Sequence, residues 1–230
     1  MKKALFICLL AALSVQLSAQ YKKAGFFTRE GRTYSLSTTM FNMGDGKGSP
    51  LGFTFSSGSD NTQKRTIFWY DITFIPGYNF SYTTTGTIAN SNSTVNDATI
   101  YGKSRSVWIY GFNYGIYLTK HDAESKFNLY IPLGFNIVIA GRPQQASLDL
   151  ISEQYYDLDK SPAQESFNFG LKGGLGAIYN ITQKWGVKLE GGYNRVFNVD
   201  VNNTSGNSYF MFTNNSYVTL GIRLRLLGDD

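Results

Sequence analysis

The sequence predicts an all-β protein whose strands close into an antiparallel, up-and-down, transmembrane β-barrel of eight strands. Three observations predict this fold. The chain begins with an export signal, its other apolar residues alternate with small or polar ones in segments of about ten residues, and the connections between these segments are alternately long and short. After the signal the sequence has no second long apolar run, so we expect no membrane-spanning helix.

The first twenty residues, MKKALFICLLAALSVQLSAQ, have the three parts of a secretory signal peptide. Two lysines precede an apolar run, and the small residues that follow it predict cleavage between Ala19 and Gln20. The apolar run is shorter than the ~20 residues that a spanning helix needs, so we expect cleavage rather than anchoring. The expected parts of the chain are a signal peptide over 1–19, a periplasmic segment over 20–32 and a barrel domain over 33–230.

The composition is unusual for a water-soluble globular protein. Charged residues make up 16% of the chain and aromatic residues another 16%, whereas soluble domains carry roughly 25% charged residues. The single cysteine, Cys8, lies within the signal, so we expect neither a disulfide nor thiolate chemistry in the mature chain. Without Lys2 and Lys3, 19 basic residues stand against 16 acidic ones, a net charge of about +3. Because basic residues form no run, nucleic acid is not an expected partner.

Each strand is predicted from side chains that alternate between two faces. In SVWIYGFNYGIYLT, over Ser106–Thr119, aromatic and aliphatic residues on one face alternate with mostly small or polar residues on the other. The other strong segments are Arg65–Thr84, Phe127–Gly141, Ser166–Asn180, Lys184–Asn198 and Asn215–Leu227, and the two weaker ones are Thr33–Met43 and Pro50–Ser57. Proline lacks a ladder donor, so we expect β-bulges at Pro76 and Pro132.

The lengths of the connections test the strand count independently. Outer-membrane barrels join their strands by short periplasmic turns and longer external loops, with both termini in the periplasm. The expected external loops at 198–214, 142–165 and 86–104 are long, and the expected turns at 181–184, 120–125 and 57–64 are shorter. Only the first external loop, 44–49, departs from the trend by being short. The pattern therefore favours eight strands over seven or ten.

The aromatic face of each strand is expected to meet lipid, and the face rich in glycine and asparagine to line the interior. A lipid-facing cation costs about 2–4 kcal/mol near the membrane midplane, and Arg195, near the external end of its strand, is the only cation on an outward position. Small barrels are filled by side chains, and buried charges need partners. The predicted interior charge network is Asp71, Lys172, Lys188, Glu190, Arg223 and Arg225. We interpret it as structural, with a lined path that selects anions as the alternative.

At this point the chain resembles a family. FNFGLKGGLGAIYNITQKWGVKLEGGYNRVF, followed by SYVTLGIRLRL, resembles the closing hairpin and last strand of small outer-membrane barrels similar to outer membrane proteins A and X, especially those of the Bacteroidota. DITFIPGYNF is similar to an Ile-x-Pro-x-x-Gly-Tyr stretch of that group, with one residue fewer between Pro76 and Tyr78. The resemblance spans roughly Thr33 to Leu227. It implies a location in the bacterial outer membrane, in contact with its lipid and lipopolysaccharide.

The sequence contains few residues that could act in catalysis. Some small outer-membrane barrels are lipid A palmitoyltransferases or deacylases that use an external histidine with serine and an acid. The single histidine here, His121, falls in a predicted periplasmic turn, although histidine is the natural base near neutral pH. We therefore expect no enzymatic activity, no cofactor and no metal site. GDGKG at 44–48 lacks the ending of a phosphate-binding loop and is predicted to be a turn.

The external loops are where a function is expected. Tyr155 and Tyr156 lie in the loop 142–165, and Tyr209, Phe210 and Phe212 lie in the loop 198–214. Such aromatic residues can anchor an extracellular protein or glycan, or they can belong to strands that extend above the membrane and pair with one another, which is the interpretation we favour. We predict a non-enzymatic outer-membrane protein with a structural or surface-contact role. The alternatives are a narrow anion-preferring pore and a soluble exported barrel that holds a small apolar ligand.

Overall fold

The computed structural model describes residues 31–44, 48–61, 65–84, 88–90, 93–95, 98–119, 125–141, 144–150, 153–157, 165–198 and 212–226. The predicted signal peptide and its cleavage site lie outside these residues. Every regular element in the described part is a β-strand. None of its segments is a helix long and apolar enough to cross a membrane.

Fourteen strands are present in the described residues. In chain order they are β1 (Arg32–Asn42), β2 (Leu51–Asn61), β3 (Thr66–Ile75), β4 (Asn79–Thr84), β5 (Ile88–Asn90), β6 (Ser93–Val95), β7 (Ala98–Lys103), β8 (Val107–Tyr117), β9 (Phe127–Gly141), β10 (Gln144–Asp149), β11 (Tyr155–Asp157), β12 (Glu165–Asn180), β13 (Trp185–Asn198) and β14 (Asn215–Arg225). Eight of them close an antiparallel barrel in the order β1-β2-β3-β8-β9-β12-β13-β14, and β14 pairs with β1. The predicted fold class and strand count are confirmed.

The six remaining strands lie in the two longest connections. β4, β7, β10 and β11 form a four-stranded sheet, and β5 pairs with β6 in a short hairpin. β4 and β7 belong to the connection between β3 and β8, whereas β10 and β11 belong to the one between β9 and β12. The two connections therefore build one sheet together, at the barrel end opposite to the short turns. This sheet, which we call the external sheet, agrees with the favoured interpretation, in which strands extend above the membrane.

The strand structure at both prolines differs from what the sequence predicts. The predicted strand Arg65–Thr84 is divided at Pro76, because β3 ends at Ile75 and β4 joins the external sheet instead of the barrel. Pro132 stays within β9, but the pairing with β12 is interrupted between Leu133 and Tyr130 without a change of register. Neither site is a β-bulge, so that prediction is wrong. In both places the missing N–H removes a ladder bond without inserting a residue.

The outer surface of the barrel is apolar, as predicted. Phe112 and Leu189 are 47% and 50% exposed on this surface, whereas the neighbouring Lys188 is buried inside the barrel. Apart from the terminal strand residues Arg32 and Glu165, Arg195 near the external end of β13 is the only charged residue at an outward position of the described barrel strands. A water-soluble carrier requires the opposite arrangement, with aromatic residues inside and lysines outside. The exposed apolar surface instead suits a surrounding of acyl chains.

The interior holds two apolar clusters that the sequence analysis did not predict. One lies near the strand ends that join the long connections, and consists of Phe41, Met43, Ile75, Val107, Ile109, Val138, Ala140, Phe212 and Tyr217. The second lies nearer to the short turns, and consists of Ile67, Trp69, Tyr117, Tyr130 and Ile178. We call them the external plug and the periplasmic plug. Glu190 lies between these two layers and contacts both of them. The predicted lining of glycine, asparagine and ions was therefore incomplete.

The periplasmic plug depends on glycine at one position of β12. Tyr130 of β9 lies directly opposite Gly176, and its fully buried ring packs edge-on against Trp69 and Tyr117. A Cβ atom at Gly176 would overlap the ring of Tyr130. Since the ring is held on its other sides, glycine is needed here for a close approach rather than for an unusual backbone angle.

Gly176→Ala is therefore expected to destabilise the barrel by about 1–3 kcal/mol, the usual effect of overpacking a filled interior. The measurement is urea-induced unfolding of the protein in detergent, followed by Trp fluorescence. Gly173→Ala, on the same strand, is the matched control, because a Cβ there would meet only Leu133 at an ordinary 3.8 Å and the main-chain oxygen of Pro132 at 4.0 Å. Equal unfolding midpoints for the two variants would contradict the close packing of Tyr130 on Gly176.

Candidate functional site

A cluster of four charged side chains lies in the middle of the barrel, built from three strands. Lys172 comes from β12, Lys188 and Glu190 from β13, and Asp71 from β3. Lys172 Nζ lies 3.0 Å from Glu190 Oε1, and Lys188 Nζ lies 3.1 Å from Glu190 Oε2. Lys172 Nζ also lies 3.3 Å from Asp71 Oδ2. Four of the six predicted interior charges thus form one connected group.

Glu190 is the centre of this group and is 1% exposed. Besides the two lysines, it accepts hydrogen bonds from the hydroxyls of Tyr130 at 2.8 Å and Tyr217 at 3.1 Å. These tyrosines belong to the periplasmic and the external plug respectively. The carboxylate therefore connects both apolar layers with the charged layer between them. Four donors to one carboxylate compensate the loss of hydration that burial imposes.

Asp71 and the lysines have further partners on neighbouring strands. Asn113 Nδ2 donates to Asp71 Oδ2 at 2.9 Å, and Trp69 Nε1 donates to the same atom at 3.3 Å. Lys188 Nζ lies 4.5 Å from the centre of the Trp69 ring, a favourable cation–π distance. Two cations and two anions make the cluster electrically neutral. The interior at this level consequently has no excess positive charge.

A chain of threonine hydroxyls lines the wall formed by β14, β1, β2 and β3. The Oγ1 atoms of Thr219 and Thr39 lie 2.9 Å apart, those of Thr39 and Thr54 3.0 Å, and those of Thr54 and Thr73 2.8 Å. These hydroxyls and the charged cluster line a cavity of about 30 Å³. By volume it has room for about two water molecules.

Arg223 takes part in a second ion pair, closer to the short turns. Its guanidinium pairs with the carboxylate of Asp60 on β2, and Tyr117 donates to Asp60 Oδ1 at 3.0 Å. Arg225 lies two residues further, partly exposed at the end of β14, and its Nε has no hydrogen-bond partner among the described residues. The six predicted interior residues therefore do not form a single network.

Asp60 is the functional residue that the sequence analysis missed. The strand was predicted to end at Ser57, which placed Asp60 in the following turn. β2 instead continues to Asn61, and the alternation of Gly52, Thr54, Ser56 and Gly58 puts Asp60 on the inward face. Extending this alternation by two residues would have found it.

The external sheet is attached to the barrel through Tyr78. This side chain packs against the external plug and also against Phe80 and Ile100, the buried residues of the sheet. Its main-chain oxygen accepts a hydrogen bond from Ser104 N at 2.8 Å. Burial raises the pKa of the Tyr78 hydroxyl far above its ordinary value, so the group stays protonated. The sheet is thus continuous with the barrel interior.

The predicted loop residues have different environments. Tyr155 is exposed on β11, and Tyr156 follows it on the same strand. Phe212 is only 1% exposed and packs edge-on against Phe41, with ring centres 5.3 Å apart. Its prediction as a surface contact is wrong, because the residue is part of the external plug. Tyr209, Phe210 and His121 lie outside the described residues.

The fold of this chain is similar to that of a protein of known structure. No family model and no curated protein match the chain in sequence. In a comparison with solved structures, a major outer membrane protein from Thermus thermophilus is similar over 86% of this chain and 100% of that chain, with 13% identity and a TM-score of 0.50. The chain has the fold of an outer-membrane β-barrel.

Two further outer-membrane proteins give lower TM-scores. Neisserial surface protein A matches over 86% of this chain and 98% of that chain, with 15% identity and a TM-score of 0.44. Ail, the attachment invasion locus protein of Yersinia pestis, matches over 86% and 99%, with 14% identity and a TM-score of 0.42. The narrower resemblance to Bacteroidota barrels finds no support in these matches.

Proposed function

We propose that this protein is an integral outer-membrane barrel without enzymatic activity, which is exported with cleavage near Ala19 and holds an ordered sheet outside the cell for surface contact. The observation that carries the proposal is the apolar outer surface around a filled, charge-paired interior. Only a closed sheet satisfies all backbone groups of strands within lipid. The lipid and lipopolysaccharide of the outer membrane are then its immediate surroundings.

The contents of the barrel favour a structural interior over the alternative of an anion-preferring pore. An anion path needs unpaired positive charge along its length. Here Lys172 and Lys188 share Glu190, and Asp71 accepts from Lys172. The external plug and the periplasmic plug lie on either side of these charges. The central cavity between them is only about 30 Å³ in volume.

The external sheet favours a role in contact rather than in scaffolding alone. Two separate connections contribute strands to it, and its inner side is fixed to the barrel by Tyr78. Such a sheet is held in one conformation before any partner binds, which lowers the entropy loss on binding. An extracellular protein or glycan is the kind of partner that it would meet.

The proposal is tested by locating the protein in the cell and by finding on which side of the membrane each connection lies. The full-length precursor is expected to fractionate with the outer membrane, to migrate differently in gels before and after heating, and to begin at Gln20 when mature. A protease site inserted between Asp157 and Glu165 should be cut in intact cells. The same site placed between Thr182 and Gln183, in the turn after β12, should be cut only after the outer membrane is permeabilised.

The paired insertions make the result interpretable. Since both variants contain the same added sequence, a difference in cleavage reports on the side of the membrane. Release of the protein in soluble form by osmotic shock, or cleavage in intact cells at the 182–183 site alone, would refute the proposed location.

A further inference from the structure

The external sheet has one open face. Residues that lie directly opposite each other in antiparallel strands share a face, and Tyr101 lies opposite Ser81 and Ala146. Leu148 likewise lies opposite Thr99 and Tyr155. We call this side the tyrosine face, and its described members are Asn79, Ser81, Thr83, Thr99, Tyr101, Lys103, Ala146, Leu148, Tyr155 and Asp157.

The two faces of this sheet differ in burial. On the opposite side Phe80, Ala98 and Ile100 are buried, so that side forms the core of the sheet. On the tyrosine face Tyr101 is 40% exposed and Tyr155 is 67% exposed. The exposed part of each side chain contributes nothing to stability through burial. The two rings are instead placed where a partner can reach them.

The charges of the tyrosine face favour an uncharged partner. Its described members include one cation, Lys103, and one anion, Asp157, which gives no net charge. A field of one sign, which would attract a polyanion or a basic segment, is therefore missing from these members. Ala146 and Leu148 lie between the two rings, on β10. Beside Tyr101, β4 and β7 carry hydroxyl groups, and the Oγ1 atoms of Thr83 and Thr99 lie 3.3 Å apart. Hydroxyl groups both donate and accept hydrogen bonds.

The distance between the two tyrosine residues limits which partners can contact both of them. Tyr101 and Tyr155 are two strands apart and offset by two residues along the strands. With neighbouring strands about 4.8 Å apart and residues about 3.4 Å apart, their Cα atoms are about 12 Å from each other. Alternate rings of an extended chain of pyranoses are separated by a similar distance. The face of an aromatic ring carries partial negative charge, and so attracts the C–H groups of a sugar.

We propose that the tyrosine face binds an extended, uncharged glycan whose pyranose rings stack on Tyr101 and Tyr155, with Ser81, Thr83 and Thr99 available for hydrogen bonds to sugar hydroxyls. Tyrosine suits this task because it offers a large rigid surface and loses little conformational entropy on binding. The inference rests on the proposed function, since the sheet meets foreign glycans only on the outside of the cell.

The experiment uses the mature chain refolded in detergent, with folding verified by heat-modifiable migration in gels. Cellohexaose, which is extended and uncharged, is titrated by isothermal titration calorimetry, and maltohexaose, which curves, serves as comparison. Cellohexaose is expected to bind more tightly than maltohexaose. Tyr155→Ala and Tyr101→Ala should each weaken cellohexaose binding by about tenfold, the usual loss for a truncated aromatic anchor. Tyr155→Phe keeps the ring and should bind nearly as the parent does.

Tyr179→Ala is the matched control, because Tyr179 is an exposed tyrosine at the far end of β12, outside the sheet. It should leave the affinity unchanged. Failure of a folded protein to bind cellohexaose, binding of heparin or of a protein at this face in its place, or equal affinity of the Tyr155→Ala and parent proteins would overturn the inference. None of these results affects the fractionation test, so the two proposals fail separately.

Discussion

Glu190→Gln is expected to lower the free energy of unfolding by about 3–5 kcal/mol, because it leaves two buried lysines without their shared counter-charge. Lys172 keeps Asp71 as a partner, whereas the ion pair between Lys188 and Glu190 is lost. The glutamine would also turn an amide N–H₂ group towards lysine and tyrosine donors. The measurement is a urea titration in lipid vesicles, followed by Trp fluorescence and by heat-modifiable migration.

Two further variants separate the loss of the charge pair from a general effect of substitution. Glu153→Gln removes an exposed carboxylate that precedes β11, and should change stability by no more than about 0.5 kcal/mol. Lys188→Met in the Glu190→Gln protein removes the uncompensated cation and should recover part of the loss. With Lys188→Met alone as the fourth protein of the cycle, the comparison gives the coupling energy of the pair. A Glu190→Gln protein as stable as Glu153→Gln would mean that the cluster does not stabilise the barrel.

Leu189→Arg, one residue earlier on β13, tests the opposite face of the same strand. Leu189 lies midway between Trp185 and Tyr193, and all three side chains are exposed on the outer surface. An arginine facing lipid near the midplane should destabilise the barrel by about 2–4 kcal/mol in vesicles. The unfolding experiment in vesicles used for Glu190 measures this difference.

The position along the strand supplies the control for Leu189→Arg. Leu51→Arg places the same charge on the outer surface at the external end of β2, and should cost no more than about 1 kcal/mol. If the outer surface faced water, both substitutions would be nearly neutral. Equal and small effects at the two positions would therefore contradict a membrane around the barrel.

The barrel itself could be predicted because the sequence pattern that specifies it lies within each single strand. Alternation along each strand assigns residues to a face without knowledge of any partner strand, and it placed Lys172, Lys188 and Glu190 inside and Phe112 outside. Apolar residues at inward positions, such as Trp69, were harder to predict, because both faces of the strand are apolar there and alternation does not distinguish them. The external plug and the periplasmic plug were missed for this reason.

Other features depend on contacts between distant segments, which alternation cannot report. β4 and β10 are far apart in the chain, yet both join the external sheet through β7. Phe212 was expected at the surface because its segment is a loop, but it fills the barrel next to Phe41. Arg223 was expected within the central network, but pairs with Asp60 two strands away.

By itself, the order of residues determined that the chain forms eight barrel strands, and which side of each strand is apolar, because a period of two is a property of the single strand. Only the tertiary structure decided which charges pair, which aromatic residues fill the ends of the barrel and which remain exposed on the external sheet. Those outcomes depend on the register between strands and on how a limited interior volume is filled, and both are set when the sheet closes.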